Sequence, residues 1–338
     1  MTQRLTRRVF SGAALTVLAA PAITRAAEPI KIRCSLDTAP SHLRNVSILD
    51  YLKKVEQASG GRITNEVFHS GALYADINVG KALLQGQVEM CAPGTWTQTG
   101  LVSDCDFVQL PEFYGQSLET THKATDGKAG AFVNQQLEAK LRSHVLGLWI
   151  DLGFQNWYTT KQPLKSLADL KGLKIRGAGG PGISWRIKFV GGIANVTPWP
   201  NVPLALSQGT FDGLVTTDES SASAKLWEAG VRYSYVDHQF MAQYVPMMSG
   251  AFWSKLAPDD QKMMTQLWAD NIGPYRANMA EAQLNARKTM EKNGVSFFDP
   301  SADVLAASRK AMIGDQAALI KDSKLSPEVV KLVTEALV

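Results

Sequence analysis

The chain has 338 residues, a formal net charge of +4 and a hydrophobic content of 45%. This length is more than one hydrophobic core usually organises, so two lobes are predicted. Arginines within residues 1–26 account for much of the positive charge, and no basic run with interleaved aromatic residues indicates nucleic-acid binding.

Residues 1–26 have a basic start, an apolar run from Val9 to Ala20 and a small-residue end at Ala26. This pattern predicts an export signal that is cleaved at about Ala26. The pair Arg7-Arg8 favours the twin-arginine route, with Sec export as the alternative. No later run approaches the roughly 18 apolar residues that span a bilayer. We therefore expect the mature protein in the periplasm.

The next part of the chain alternates strands and helices. A strand in IKIRCSLD precedes a helix over about 41–59, a strand in RITNEVFHSG, a helix over about 77–85 and a strand in VEMCAPGTW. The same order returns with a strand in LKIRG, a helix near 183–189, a strand in NVTPW, a short helix near 202–208 and a strand in FDGLVTT. This order is typical of parallel α/β sheets, so two α/β lobes are predicted.

A helical pattern covers residues 258–293, with Pro258 suited to the first helical position and Gly294 to the position past the end. At ~1.5 Å per residue such a helix reaches about 54 Å, enough to run along both lobes. Gly273-Pro274 in its middle predicts a kink. Lobe I is assigned to residues 27–152 plus about 240–257. Lobe II is assigned to 153–239 plus part of the C-terminal region.

Three cysteines, Cys34, Cys91 and Cys105, form no C-x-x-C pair. This weighs against a disulfide framework and a structural zinc site, although one bridge remains open. We interpret them as buried apolar residues. The five histidines fall in no metal-ligand spacing, so no metal site is predicted.

The segment RGAGGPG spaces Gly177, Gly179 and Gly182 as G-x-G-x-x-G. A dinucleotide-binding loop also needs an acidic residue about 20 positions later for the ribose hydroxyl, and residues 182–210 contain no acid. Arg176, at the strand end, can instead clamp a carboxylate, assisted by the positive potential of the following helix N-terminus. Pairing of Arg176 with an acid of the same protein is the alternative.

Several linked segments resemble the DctP-type substrate-binding proteins of TRAP (tripartite ATP-independent periplasmic) transporters. They are ASGGRITNEVFHSGAL, LADLKGLKIRGAGGPG, TPWPNVPLALSQGTFDG, KLWEAGVRYSYVDH and SGAFWSKLAPDDQKMM. The resemblance implies a monomeric, two-lobed, non-enzymatic protein that closes around an organic acid and delivers it to membrane permease subunits. It also implies a selectivity arginine at Arg176, an aromatic ligand contact at Trp199, a polar contact at Asp37 and a ligand-lining loop over Gly94 to Trp96.

Two positions depart from the family's pattern. Many members carry a second arginine in the hinge-side segment, where this chain has Gln155, and Thr216 replaces the usual asparagine of the D-G-Q-E-N-P segment. A single arginine for one carboxylate puts simple dicarboxylates and sialic acid in doubt.

The segments around these positions contain polar side chains that can bind hydroxyl groups and tryptophan rings that can stack on a ligand. With a carboxylate clamp they suit a sugar acid such as a uronate or aldonate, and an aromatic or branched 2-oxo acid is the alternative. Asp218 and Glu219 could instead cap the helix that begins near Ser220. The candidate ligand-binding residues are Arg176, Trp199, Gln155, Asn156, Asp37, Trp96, Thr216, Asp218, Glu219 and Trp157.

Two other classes remain open from the residues alone. Twin-arginine export would allow a nicotinamide-dependent oxidoreductase, and a sensory ligand-binding module would have the same lobes without a permease. The sequence contains no G-x-S-x-G, H-E-x-x-H or P-loop motif. We therefore predict neither an enzyme activity nor a cofactor.

Overall fold

A computed structural model describes residues 29–337 of the chain. The predicted export signal, residues 1–26, lies outside the described residues. Within residues 29–337 two α/β lobes are joined by crossing strands, which confirms the predicted fold class. A search of the helices in this range found none with the length and apolar character that a membrane span requires.

The elements alternate along most of the chain. The strands are β1 (Ile30–Ser35), β2 (Ile63–Phe68), β3 (Met90–Cys91), β4 (Ser143–Val145), β5 (Ile150–Phe154), β6 (Asn156–Thr159), β7 (Lys174–Gly177), β8 (Ile193–Val196), β9 (Gly213–Thr216), β10 (Tyr233–Tyr235), β11 (Met241–Tyr244), β12 (Met247–Ser249) and β13 (Ser296–Phe298). The helices are α1 (Leu43–Ala58), α2 (Asp76–Leu84), α3 (Leu118–Thr125), α4 (Lys128–Leu141), α5 (Pro181–Phe189), α6 (Val202–Ser207), α7 (Asp218–Ser223), α8 (Gly250–Trp253), α9 (Pro258–Lys292), α10 (Ala302–Gly314), α11 (Gln316–Ser323) and α12 (Pro327–Leu337).

Lobe I is built on a five-stranded sheet with the order β2-β1-β3-β12-β4. Strand β1 pairs in parallel with β2 and β3, as the alternation of strands and helices predicts. Strand β12 runs antiparallel to β3 and β4, which the sequence pattern did not indicate. The antiparallel strand arises because the chain enters this sheet from the other lobe.

Lobe II is built on a six-stranded sheet with the order β13-β10-β6-β9-β7-β8. The three predicted strands β7, β8 and β9 are parallel. Strand β6 runs antiparallel to β9 and β10, because it arrives directly from lobe I. Both sheets are therefore mixed, and the parallel part of each follows the predicted alternation of strands and helices.

The hinge consists of the antiparallel pair β5 and β11, which lies between the two sheets. Gln155 is the single residue between β5 and β6. Its N–H donates to the carbonyl of Phe240 at 3.0 Å, and its carbonyl accepts the N–H of Gln239 at 2.9 Å. The two crossing segments are thus held together where they pass from one lobe to the other.

Helix α9 packs against α1 of lobe I, against the hinge strand β5 and against α7, so it runs along both lobes as predicted. Pro274 lies inside this single helix, and a kink at 273–274 stays a prediction. Downstream, β13 joins the sheet of lobe II, whereas α12 packs on α3 and α4 of lobe I. The C-terminal region is therefore divided between the lobes.

Trp268 attaches α9 to lobe I. Its ring is fully buried and packs edge-on against Tyr51 of α1, with 5.2 Å between ring centroids. Its Nε1–H donates to the carbonyl of Leu148 at 2.9 Å. The long helix is thus anchored by both packing and a hydrogen bond.

We expect Trp268→Ala to lower the free energy of unfolding by about 3–5 kcal/mol, because it leaves a large cavity and an unpaired carbonyl. Denaturant titration measures this loss. Leu284→Ala, on the same helix at a side chain 66% exposed, should change stability by less than about 0.5 kcal/mol. Equal losses in the two variants would contradict the anchoring role of Trp268.

Candidate functional site

A cleft between the two lobes collects residues from the carboxyl ends of the parallel strands. Asp37 follows β1, Arg176 is near the end of β7, and Thr216 is the last residue of β9. Ligands of open α/β sheets bind at this edge, because the loops there diverge from the strands. Six of the ten candidate residues line the cleft, namely Arg176, Trp199, Gln155, Asp37, Trp96 and Thr216.

Arg176 is a buried cation, with an exposed fraction of 2%. Its Nε–H donates to the carbonyl of Thr197 at 2.9 Å, and its guanidinium carbon lies 5.5 Å from the ring centroid of Trp199. Within residues 29–337 no carboxylate lies within ion-pair distance of it. Burial lowers the pKa of Arg176 to about 10, and the nearby Asp37 and Tyr244 oppose this shift only in part. The side chain is thus held in place with its charge uncompensated.

Arg44, in helix α1 of lobe I, is a buried cation with two acidic partners that line the cleft. Its Nη2 donates to Asp37 Oδ1 at 2.9 Å and its Nη1 to Asp76 Oδ2 at 2.7 Å. The guanidinium also lies over the ring of Tyr244, 4.2 Å from its centroid. This network fixes both carboxylates at the cleft wall. Arg44, Asp76 and Tyr244 were not predicted from the sequence, because an arginine in a helix and an acid at a helix start resemble ordinary surface residues.

Asp76 lines the cleft and has one carboxylate oxygen without a partner. Its residue is 4% exposed, and its Oδ1 atom has no hydrogen-bond partner among the residues that the structure describes. Burial raises the pKa of Asp76 to about 7, against the opposing charge of Arg44. A buried polar atom without a partner is costly, so this atom favours a ligand that brings a hydroxyl, which can donate or accept.

The remaining four candidates lie outside the cleft. Asn156 is next to Gln155 in the chain and faces the opposite side, because successive side chains of an extended segment alternate. Asn156 and Asp218 both line a separate cavity against α9, where Asp218 accepts a hydrogen bond from the Tyr158 hydroxyl. Trp157 and Glu219 are buried against protein partners, Asp237 and the start of α1 respectively.

Trp157 is fully buried, and its Nε1–H donates to Asp237 Oδ2 at 2.7 Å. The Tyr114 hydroxyl donates to the same oxygen at 2.7 Å. Burial raises the pKa of Asp237 to about 7, although these two hydrogen bonds and Arg186 oppose the shift. Trp157 therefore serves the core between the lobes and not the cleft.

The glycine-rich segment after β7 brings the lobes together. Gly180 has a φ of +79°, and a Cβ atom there would lie 3.0 Å from the carbonyl oxygen of Trp96 in lobe I. The N–H of Gly182, at the start of α5, donates to Asp106 Oδ2 at 2.7 Å. The carboxylate of Asp106 thus takes one N–H of this helix N-terminus, and assistance of the ligand's carboxylate by the helix stays a prediction.

The sequence matches the profile of the bacterial extracellular solute-binding proteins, family 7 (DctP), over residues 37–321. The chain belongs to this family. This result confirms the resemblance noted from the sequence and identifies a non-enzymatic solute-binding protein. The nicotinamide-dependent oxidoreductase is thereby excluded.

Similar proteins agree with this assignment. The C4-dicarboxylate-binding periplasmic protein DctP of Rhodobacter capsulatus is 26% identical over 300 residues, which cover 88% of each chain. The sugar acid binding protein of Advenella mimigardefordensis in complex with galactonate superposes with a TM-score of 0.86 at 21% identity, over 92% of this chain and 98% of that one. A TRAP periplasmic solute-binding protein from a Sulfitobacter species with bound β-D-galacturonate gives a TM-score of 0.83 at 20% identity, over 91% and 99%.

The uncompensated charge of Arg176 should destabilise this solute-binding protein when no ligand is present. We expect Arg176→Met to raise the Tm of the ligand-free protein by about 2 °C or more, because the variant removes the desolvation cost and retains most of the packing. Differential scanning calorimetry measures the shift. Lys174→Met, at an exposed position of the same strand, should leave Tm unchanged. A lower Tm for Arg176→Met would show that the folded protein already compensates this charge.

Asp237 should make stability depend on pH. The raised pKa of Asp237 means that the folded protein binds this proton more tightly than the unfolded chain, whose aspartate pKa is about 4. Its contribution to stability is therefore lost as pH rises from about 4 to about 7. An asparagine at this position stays neutral and retains an acceptor. The Tm of Asp237→Asn minus the Tm of the wild type should therefore increase as pH rises from 5 to 8. The exposed Asp270→Asn is the control, and parallel curves for the two variants would contradict the assignment.

Proposed function

We propose that this solute-binding protein captures a sugar acid with one carboxylate, such as a uronate or an aldonate, and delivers it to the membrane permease of a TRAP transporter. The observation that carries the proposal is the contrast between Arg176, which lines the cleft, and Arg44, which binds two carboxylates that line it. Arg44 is neutralised by Asp37 and Asp76, whereas Arg176 has no acidic partner within residues 29–337. One ligand carboxylate would balance the charge of Arg176.

The chemistry of the opposite wall supports hydroxyl groups on the ligand. Asp37 and Asp76 offer carboxylate oxygens there, and Gln155 and Thr216 add an amide and a hydroxyl. A second ligand carboxylate at this wall would face two acids, which disfavours dicarboxylates electrostatically. Galacturonate, glucuronate and galactonate are bound in solved structures of this fold. Succinate is bound in another, so a dicarboxylate remains the comparison that matters most.

Aromatic faces favour one alternative ligand class, an aromatic or branched 2-oxo acid. Trp96 and Trp199 line the cleft, and Trp96 packs near Tyr244 with 5.7 Å between ring centroids. Orotic acid and 2-acetolactate are bound in two further structures of this fold. The same arginine would hold the carboxylate of either class.

The family assignment and the segment over residues 1–26 support export to the periplasm, with cleavage at about Ala26. We propose the twin-arginine route, because Arg7-Arg8 precedes the apolar run. Ligand would stabilise the closed form, since only that form allows groups of both lobes to contact it at once.

Isothermal titration calorimetry with D-galacturonate, D-gluconate, succinate and phenylpyruvate tests the proposal. We expect the tightest binding for one of the two sugar acids. Arg176→Ala should weaken that binding by about 2–5 kcal/mol, because it leaves a desolvated carboxylate unpaired. The exposed Lys174→Ala should bind like the wild type. Tightest binding of succinate, or unchanged affinity in Arg176→Ala, would overturn the proposed ligand class or the clamp.

A further inference from the structure

A buried polar cluster joins the two lobes beside the cleft. His42 is the N-cap residue of α1 in lobe I, and Glu219 and Ser220 lie in the first turn of α7. All three side chains are nearly inaccessible, with residue exposures of 0%, 6% and 3%. Such polar groups remain buried only while the two lobes are in contact.

The carboxylate of Glu219 is directed at the start of α1. Its Oε1 accepts the N–H of Leu43 at 3.0 Å, and its Oε2 lies 2.9 Å from His42 Nε2. The first N–H groups of a helix have no partner within the helix, and the positive end of the helix dipole attracts an anion. Glu219 thus caps a helix of the other lobe. This role was not predictable from the sequence, because an acid at the start of its own helix is expected to cap that helix.

The hydrogen bonds of His42 define its tautomer. Its Nδ1 accepts the N–H of Arg44 at 3.2 Å, so that nitrogen carries no proton. The ring proton is therefore on Nε2, which lies 3.1 Å from Ser220 Oγ and donates to it. His42 thereby caps α1 with one nitrogen and bonds lobe II with the other.

Ser220 connects this cluster to the cleft, which it lines. Its Oγ accepts from His42 Nε2 and from the Thr217 hydroxyl, the latter at 3.1 Å. With both lone pairs in use, the proton of the Ser220 hydroxyl is left to donate to an oxygen in the cleft. A ligand oxygen at this point would fix the Ser220 rotamer that receives the bond from His42.

We propose that His42, Glu219 and Ser220 form an interlobe latch that ligand binding completes, so that these residues set how long the closed form lasts. Glu219 and His42 act as positioning residues that do not contact the ligand, and Ser220 donates to it. The latch rests on the proposed function, because it requires a ligand held between the lobes.

The test is Glu219→Ala in the full mature protein, with D-galacturonate, D-gluconate, succinate and phenylpyruvate as ligands. Loss of the charge-assisted hydrogen bond should raise Kd about tenfold, equivalent to about 1.4 kcal/mol, and mainly through faster dissociation. The same factor is expected for every ligand that binds, because Glu219 acts on the lobes and not on the ligand. Glu219→Gln, which keeps an acceptor for Leu43, should recover part of the affinity. Glu228→Ala, an exposed acid of the same lobe, should bind like the wild type.

Fluorescence energy transfer between dyes on Lys53→Cys and Lys188→Cys reports lobe closure directly, since both positions are exposed and the three native cysteines are buried. At saturating ligand, Glu219→Ala should show a smaller closed population than the wild type. The latch is refuted if the factor differs between ligands, which would indicate direct contact. It is also refuted if affinity is unchanged while Tm falls, which would indicate a permanent contact. Unchanged affinity in both Glu219→Ala and Arg176→Ala would instead overturn the proposed function.

Discussion

Burial of a positive charge without a counter-ion is the constraint on which the cleft depends. Arg176 lines the cleft, and Arg44 binds two carboxylates that line it, those of Asp37 and Asp76. Both arginines are buried, yet within residues 29–337 only Arg44 of the two has carboxylates at ion-pair distance. The cost of desolvating a charge is recovered when a partner supplies the opposite charge. Because the described residues supply no acidic partner for Arg176, the ligand that best complements this site is an anion.

The lobe I and lobe II walls of the cleft present charges of opposite sign to a ligand. The lobe II wall fixes Arg176 through the carbonyl of Thr197 and the ring of Trp199, so the guanidinium is oriented before a ligand arrives. The lobe I wall fixes the carboxylates of Asp37 and Asp76 through Arg44, which leaves one Asp76 oxygen free. Preorganised charges of opposite sign on facing walls select for orientation as well as charge, because a reversed ligand would meet like charges.

The order of the central elements was predictable because it depends on local signals. The alternation in IKIRCSLD and the helix predicted over about 41–59 correspond to β1 and α1, and the helix predicted from Pro258 corresponds to α9. The antiparallel strands β6 and β12 were not predictable, because their direction follows from the route of the chain between lobes. Pairing across such distances has no signature in a short window of sequence.

By itself the sequence determined the family, the two α/β lobes and the position of Arg176 at the end of a strand, since all three follow from local motifs and their order. Only the tertiary structure decided which polar residues share the cleft. Gln155 and Asn156 are adjacent in the chain but face opposite sides of an extended segment. Glu219 meets Leu43 and His42, and Trp157 meets Asp237, through contacts between distant parts of the chain. Whether a buried polar group binds a ligand depends on whether the protein already satisfies it, and that balance exists only once the lobes have packed.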